Sequence, residues 1–277
     1  MLFIKKTSFI IGLIAITTIV ACNHFPYAKT NQFYKKHTKE LVKLLKEDPS
    51  IQTINQLPKA ADWVGTTNFD LRKPNFVVIH HTAQNSCEQT LKTFTLERTK
   101  VSAHYVICKD GTIHHMLNDY MRAWHGGIAK WGNNIDLNSS SIGIELDNNG
   151  FEPFDTAQIN SLLLLLAQLK ETYKIPEANF IGHADIAPKR KVDPNIQFPW
   201  VLLAQKGYGV WFEPDAKYSL PESISIPFAL AMVGYDVKDT TAAILAFKRH
   251  FRADSTSVIT ENDRSVLYQL IQNKLSH

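Results

Sequence analysis

Apolar positions along the chain change their period several times, and each change marks an element. The run from Phe9 to Ala21 has no charged residue, follows Lys5 and Lys6, and stops at Cys22. A basic start, a short apolar core and a small residue before the break are the layout of a secretory signal. A membrane span would need about 20 apolar residues. From Asn23 to about Leu57 the chain is polar and lysine-rich, and Leu41, Leu44 and Leu45 mark a short amphipathic stretch read as one packed helix on a tether. Pro74 opens a different texture. Phe76-Val-Val-Ile-His80 is a β-branched run of strand type. His104–Cys108 and Thr112–Leu117 flank Lys-Asp-Gly, a hairpin signal. Ser141–Leu146 alternates, with Ile142, Ile144 and Leu146 on one face and Glu145 on the other. Asp155 then predicts a helix cap, with Gln158 completing a capping box, before Ile159, Leu162, Leu163, Leu166, Leu169 and Tyr173 at helical spacing. Pro176 ends that helix, and Asn179–His183 reads as a further strand. Strands interleaved with helices argue an α/β sheet covered by helices. Beyond a linker at Pro214–Pro221, helical patterns at Ile226–Met232, Thr240–Phe251 and Asp263–Leu275 predict a small all-helical domain.

Composition narrows the class. With 44% hydrophobic and 20% charged residues over 277 positions, wholesale disorder is excluded and one full-sized domain plus a small one is expected. The net charge of +4 drops to +2 once residues 1–21 are set aside, leaving 28 Lys+Arg against 26 Asp+Glu. So weak a balance gives no argument for a nucleic-acid partner. Three cysteines without CxxC spacing exclude a disulfide-stapled mini-fold.

Two histidines stand where strands end, His80 and His183, and Asp193 follows ten positions after the second. Two imidazoles and one carboxylate brought together would bind zinc and leave a fourth position open, as in catalytic sites. Composition alone leaves hydrogen-bonded histidines equally open, and the His-Glu-x-x-His peptidase motif is absent.

Five motifs in order change this picture: Val78-Ile-His-His-Thr-Ala83, Ser102-Ala-His-Tyr105, Ala123-Trp-His-Gly126, Ser141-Ile-Gly-Ile-Glu145 and Gly182-His-Ala-Asp-Ile-Ala-Pro-Lys-Arg-Lys-Val-Asp-Pro194. From about Asn68 to Trp211 the chain resembles the zinc N-acetylmuramoyl-L-alanine amidases of the type-2 amidase family, related in fold to the peptidoglycan recognition proteins, and within them the lipoprotein branch. The resemblance implies a central mixed β-sheet flanked by helices plus the small C-terminal helical domain. It implies one zinc per chain on His80, His183 and Asp193, with His81 on the opposite strand face as a packed neighbour. Glu145 matches the family's catalytic acid and Lys191 the lysine just before the zinc-binding Asp. In that chemistry zinc lowers the pKa of water toward ~7, Glu145 moves the proton and Lys191 holds the oxyanion, although Lys189-Arg-Lys191 also reads as a solvated basic cluster. Trp124, His125 and Asn148 match positions near the substrate groove, and His104 a structural one.

Ile19-Val-Ala-Cys22 resembles a bacterial lipobox, which implies lipidation at Cys22, and Asn23 beside it resembles signals sorted to the outer membrane. The implied partners are peptidoglycan or muropeptides and, through the anchor, a membrane; the implied location is the periplasmic face of the outer membrane, and a monomer is expected. The divisions are 1–21 signal, 22–60 tether and helix, 61–213 amidase domain and 214–277 helical domain. Leu230–Tyr235 with Ala243 and Phe247 resembles a peptidoglycan-binding module, except that Lys248 stands where Gln is common. Wall binding and a merely packed appendage both remain open there. A recognition module that binds without cutting is the alternative function, and a stem peptidase a second. An oxidising periplasm permits a Cys87–Cys108 bridge, and two small buried thiols are the other reading.

Overall fold

The structure is a computed structural model. It describes residues 25–46, 65–71, 73–214 and 218–275, so the leader and Cys22 lie outside the described residues. Residues 1–65 and 66–277 form two compact units. In the first, Ala28–Lys46 is a helix (α1), longer than Leu41, Leu44 and Leu45 suggested, and none of its residues is buried. The packed helix expected there is therefore not seen.

The second unit is built on a mixed five-stranded sheet. Its strands are β1 Phe76–His81, β2 Tyr105–Ile107, β3 Ile113–His115, β4 Ser141–Leu146 and β5 Phe180–Gly182, in the order β3-β2-β4-β1-β5. Only the β2–β3 pair is antiparallel. That pair turns at Gly111, whose φ of +88° suits a residue without a Cβ. The helices of this unit are α2 Cys87–Phe94, α3 Leu137–Ser140, α4 Thr156–Tyr173, α5 His183–Ile186, α6 Trp200–Gln205, α7 Ile226–Val233, α8 Thr240–Arg252 and α9 Glu261–Leu275.

Alternation divides the sheet's two faces. Val77, Ile79, Ile144 and Leu146 pack against Ile159, Leu162, Leu166 and Leu169 of α4. Val78 goes the other way, joining Leu137, Ile181 and Ile186. A separate core holds α7, α8 and α9 together around Leu230, Phe247, Leu267 and Leu270.

Two local expectations need correction. Asp155 caps α4 by position, but its side chain makes no cap bond. Gln158 is fully buried instead, and its Nε2 donates to the carbonyls of Ile107 (2.8 Å) and Asp147 (3.1 Å). The buried amide is spent on strand-end carbonyls and not on the helix terminus, because a buried polar group left without a partner costs about 1–3 kcal/mol. The last strand also stops at Gly182, so His183 begins the α5 turn rather than closing β5.

Cys87 and Cys108 form a disulfide with Cα atoms 5.3 Å apart, tying the start of α2 to the end of β2. Closing 21 residues constrains the unfolded chain by about 3 kcal/mol in the loop-entropy picture. The Cys87→Ala, Cys108→Ala double variant should lose stability of that order in urea unfolding. Reductant should lower the wild type to the same level and leave the variant unchanged.

Candidate active site

Sheet register assembles the site. β1 and β4 run parallel with His80 opposite Glu145, so both side chains leave the same face. β5 lies on the other side of β1 with Gly182 opposite Ile79, which sets His183 beside His80. The loop after α5 returns because the Ala184 N–H donates to the Asp193 carbonyl (2.7 Å). As a result His80 Nδ1 and His183 Nδ1 stand 2.8 Å apart, with Asp193 Oδ2 at 3.1 and 2.9 Å from them. All three residues are buried.

Proton positions in this cluster follow from its outer partners. A carbonyl only accepts, so the Ser141 hydroxyl must donate to Leu137 O. Its oxygen is then free to accept from His125 Nε2–H (3.1 Å), which leaves His125 Nδ1 bare to accept from His80 Nε2–H (3.0 Å). His80 Nδ1 therefore carries a lone pair toward the centre. On the other side His183 Nε2–H donates to Gly126 O (3.2 Å), and its Nδ1 is bare as well. Burial and neighbouring His183 push His80 down to about 4, so the ring is neutral near pH 7. Burial works against ionisation of Asp193, but the proximity of His183 and His80 outweighs it and holds the carboxyl well below its usual range, so it faces the same point as a carboxylate. Three acceptors thus face one point without a proton of their own, an arrangement that repels itself unless a cation sits between them. Two imidazole nitrogens and one carboxylate oxygen suit a metal that keeps a further position open.

Glu145 borders this point. Its Oε1 lies 4.0 Å from His80 Nδ1, and Oε2 is buried without a hydrogen-bond partner. Burial and the nearby Asp193 push its carboxyl up to about 8, opposed by the Lys191 ammonium.

Residues 70–196 match the family described as N-acetylmuramoyl-L-alanine amidase. The chain is 36% identical over 209 residues to the N-acetylmuramoyl-L-alanine amidase AmiD of Escherichia coli, covering 64% of this chain and 74% of that protein. The chain belongs to this amidase family. It is also 40% identical over 102 residues to the 1,6-anhydro-N-acetylmuramyl-L-alanine amidase AmpD of Haemophilus influenzae, covering 36% of this chain and 55% of that one. Among solved structures, the E. coli AmiD complex with anhydro-N-acetylmuramic acid-L-Ala-D-gamma-Glu-L-Lys aligns with a TM-score of 0.67 and 31% identity, over 76% of this chain and 94% of that one. AmpDh3 from Pseudomonas aeruginosa aligns with a TM-score of 0.65 and 27% identity, over 78% and 98%.

The amidase's other expected residues divide by location. The basic cluster splits: Lys189 is exposed, while Arg190 Nη2 donates to the carbonyls of Gly126 (3.0 Å) and Ile128 (2.5 Å). Lys191 is half-buried, with no salt bridge among the described residues, and its charge acts on Glu145 and His80. Trp124 is 50% exposed, its ring open to solvent. His125 lies behind His80, not in an open groove, and Asn138 Oδ1 accepts from the N–H groups of His125 and Gly126. Asn148 is buried and spends its amide internally: Nδ2 donates to Glu152 O and Pro153 O, and Oδ1 accepts from Gly150 N–H and Asn195 Nδ2. Asn148 thus organises a loop, its side-chain amide spent on internal partners. His104 is equally internal, taking the Gly143 N–H on Nδ1 and donating to Met121 O. His81 leaves the opposite strand face and accepts the Asn195 N–H.

Sequence reasoning missed two supports. Counting back by two from Glu145 reaches Gly143 and Ser141 on the same face; a Cβ at Gly143 would stand 2.4 Å from the His125 ring, so only glycine admits that ring. The other support comes from the C-terminal helices and has no local signal. Asp185, two residues past His183, accepts from Gly182 N–H (2.7 Å), His250 Nδ1 (2.7 Å) and Tyr235 OH (2.9 Å). His250 also stacks on Trp200, with centroids 3.8 Å apart. The C-terminal helices therefore pack against the back of the loop that carries His183 and Asp193.

Ser141→Ala and His125→Phe should each weaken metal retention about 10–100-fold, the usual cost of losing an outer partner of a ligand. Chelator competition measures this without reference to activity. Gly143→Ala should do the same by displacing the ring.

Proposed function

We propose that the chain is a zinc-dependent amidase that hydrolyses the bond between the lactyl group of N-acetylmuramic acid and L-alanine of the stem peptide. One observation carries the reading: three buried acceptors converge on a point bordered by a carboxyl with a raised pKa and an unpartnered oxygen. Its relatives are named as amidases of this bond type, and one is solved with an anhydromuramoyl peptide bound.

His80 Nδ1, His183 Nδ1 and Asp193 Oδ2 would hold the zinc. When bound, zinc supplies a Lewis acid that acidifies water and polarises an amide carbonyl. Glu145 takes the proton on its unpartnered Oε2 and passes it to the departing amine nitrogen; a carboxyl raised to about 8 can hold that proton near neutral pH. Lys191, held on the loop by its own N–H to Ala187 O (3.0 Å), presents an ammonium to the oxyanion. Trp124 offers an exposed ring to sugar or peptide. A recognition module that binds without cutting would have no use for a buried acid beside the ligands. The small helical domain reads better as a brace than as a wall-binding module, because Tyr235 and His250 are spent on Asp185. Lys248 is buried among Asp254, Asp263, Thr256 and Val258.

We further propose that the chain is a monomeric lipoprotein, acylated at Cys22 and held at the periplasmic face of the outer membrane. The lipobox-like Ile19-Val-Ala-Cys22 and the adjoining Asn23 support this. Cys22→Ala should abolish incorporation of labelled palmitate and leave catalysis unchanged; labelling that survives the substitution would overturn the lipidation.

Glu145→Gln should keep its zinc and lose about 10²–10⁴ in rate. Lys191→Ala should lower kcat more than it raises KM, since the contact strengthens in the transition state. Mass analysis of muropeptide products decides the bond: an intact stem beginning at L-alanine supports the reading. Fragments cut within the stem would indicate a peptidase, and bound but uncut substrate a recognition protein.

A further inference from the structure

The helix α1 carries a charge pattern that the amidase does not use. Projected at about 100° per residue, Phe33, Leu41, Leu44 and Leu45 fall within about 120° of arc. Lys29, Lys35, Lys36, Lys39, Lys43 and Lys46 fall within an arc of similar width on the opposite side. Glu40 is the helix's sole acidic residue. No residue of the helix is buried, and Phe33, Leu44 and Leu45 are 63%, 62% and 76% exposed. None of the six lysines forms a salt bridge among the described residues.

Charge is also segregated along the chain. Six lysines against one glutamate give α1 a net +5, whereas residues 47–277 hold 22 Lys+Arg against 25 Asp+Glu, a net of −3. The positive balance of the chain after the leader resides in this helix. An apolar stripe opposite a lysine-rich face matches an anionic interface: acyl chains take the leucines and phosphates take the lysines. A pair of such helices would bring together two net charges of +5 with one glutamate each to offset them, which argues against a second copy. No helix among the described residues is long and apolar enough to cross a membrane, so this helix would lie on a bilayer, not span it.

We propose that α1 is an interfacial helix that lies along an anionic phospholipid surface, apolar stripe inward. This holds whether or not Cys22 is acylated, and it does not rest on the amidase reading. The test uses residues 22–277 with Cys22→Ser, so that no acyl chain contributes. Vesicles of phosphatidylcholine with a quarter phosphatidylglycerol should carry the protein down on sedimentation. Affinity should fall at least about tenfold on pure phosphatidylcholine, and similarly in roughly 0.5 M salt. Leu44→Asp with Leu45→Asp should abolish binding, and Lys35→Gln with Lys39→Gln and Lys43→Gln should remove the preference for anionic lipid. Both variants should hydrolyse soluble muropeptide at the parental rate. Absence of sedimentation with either vesicle overturns the proposal, as does binding that survives the aspartates. A dimer dissolved by the aspartates, or amide protection of α1 without lipid, would assign the stripe to a second copy or to the protein's own surface. Lost hydrolysis with intact vesicle binding would count against the amidase reading alone.

Discussion

Three lone pairs aimed at one point are the constraint on which this fold turns. His80 Nδ1, His183 Nδ1 and Asp193 Oδ2 crowd within 3.1 Å of one another, and nothing in their own chemistry holds them there. Each imidazole is oriented from behind, His80 through His125 and Ser141 to a carbonyl of α3, His183 through the Gly126 carbonyl. Because the outermost acceptor of the first chain is a carbonyl, every proton in it has one place to go. Orientation and tautomer are therefore set by backbone, and the two bare nitrogens are a consequence of secondary structure.

The same economy governs the polar groups around the centre. Arg190, within a basic cluster that sequence alone reads as solvated, pins Gly126 and Ile128 and so supports the carbonyl that orients His183. Asn138 holds the His125 and Gly126 N–H groups, and Asp185 holds Gly182. Among the described residues near the centre, Glu145 Oε2 is buried without a hydrogen-bond partner and the half-buried Lys191 ammonium forms no salt bridge. A buried oxygen without a partner is costly, and its position beside the convergent acceptors is where a reacting amide would supply one.

The C-terminal helices enter this arrangement through Asp185. Tyr235 and His250 come from α7's end and α8, and both bond a carboxylate in the α5 turn that His183 opens. Without Tyr235 and His250 that carboxylate would keep one of its three donors. These helices brace the loop that carries His183 and Asp193, a role that does not depend on whether they contact peptidoglycan.

Much of this was legible in one sequence, because period and spacing are local. The alternation of Ser141–Leu146 placed Glu145 away from the core, the β-branched run ending at His80 gave a strand, and the spacing of Ile159 to Tyr173 gave α4. The ordered motifs carried His80, His183, Asp193, Glu145 and Lys191 as a set. What sequence could not supply was anything depending on which strands become neighbours. His125 and Asn148 match positions near the substrate groove by resemblance, but that they are buried, one supporting His80 and the other tying a loop, is visible only in the structure. Gln158 looked like a helix cap until sheet-end carbonyls claimed it. Pairing Ile79 with Gly182 and His80 with Glu145 is a non-local event, fixed by the packing of the α4 face against the sheet. The hydrogen bonds from Tyr235 and His250 to Asp185 span 50 and 65 residues. Local pattern determined which residues would leave which face; only tertiary packing decided which of them would meet, because a side chain's partners in a core are chosen by the whole sheet at once.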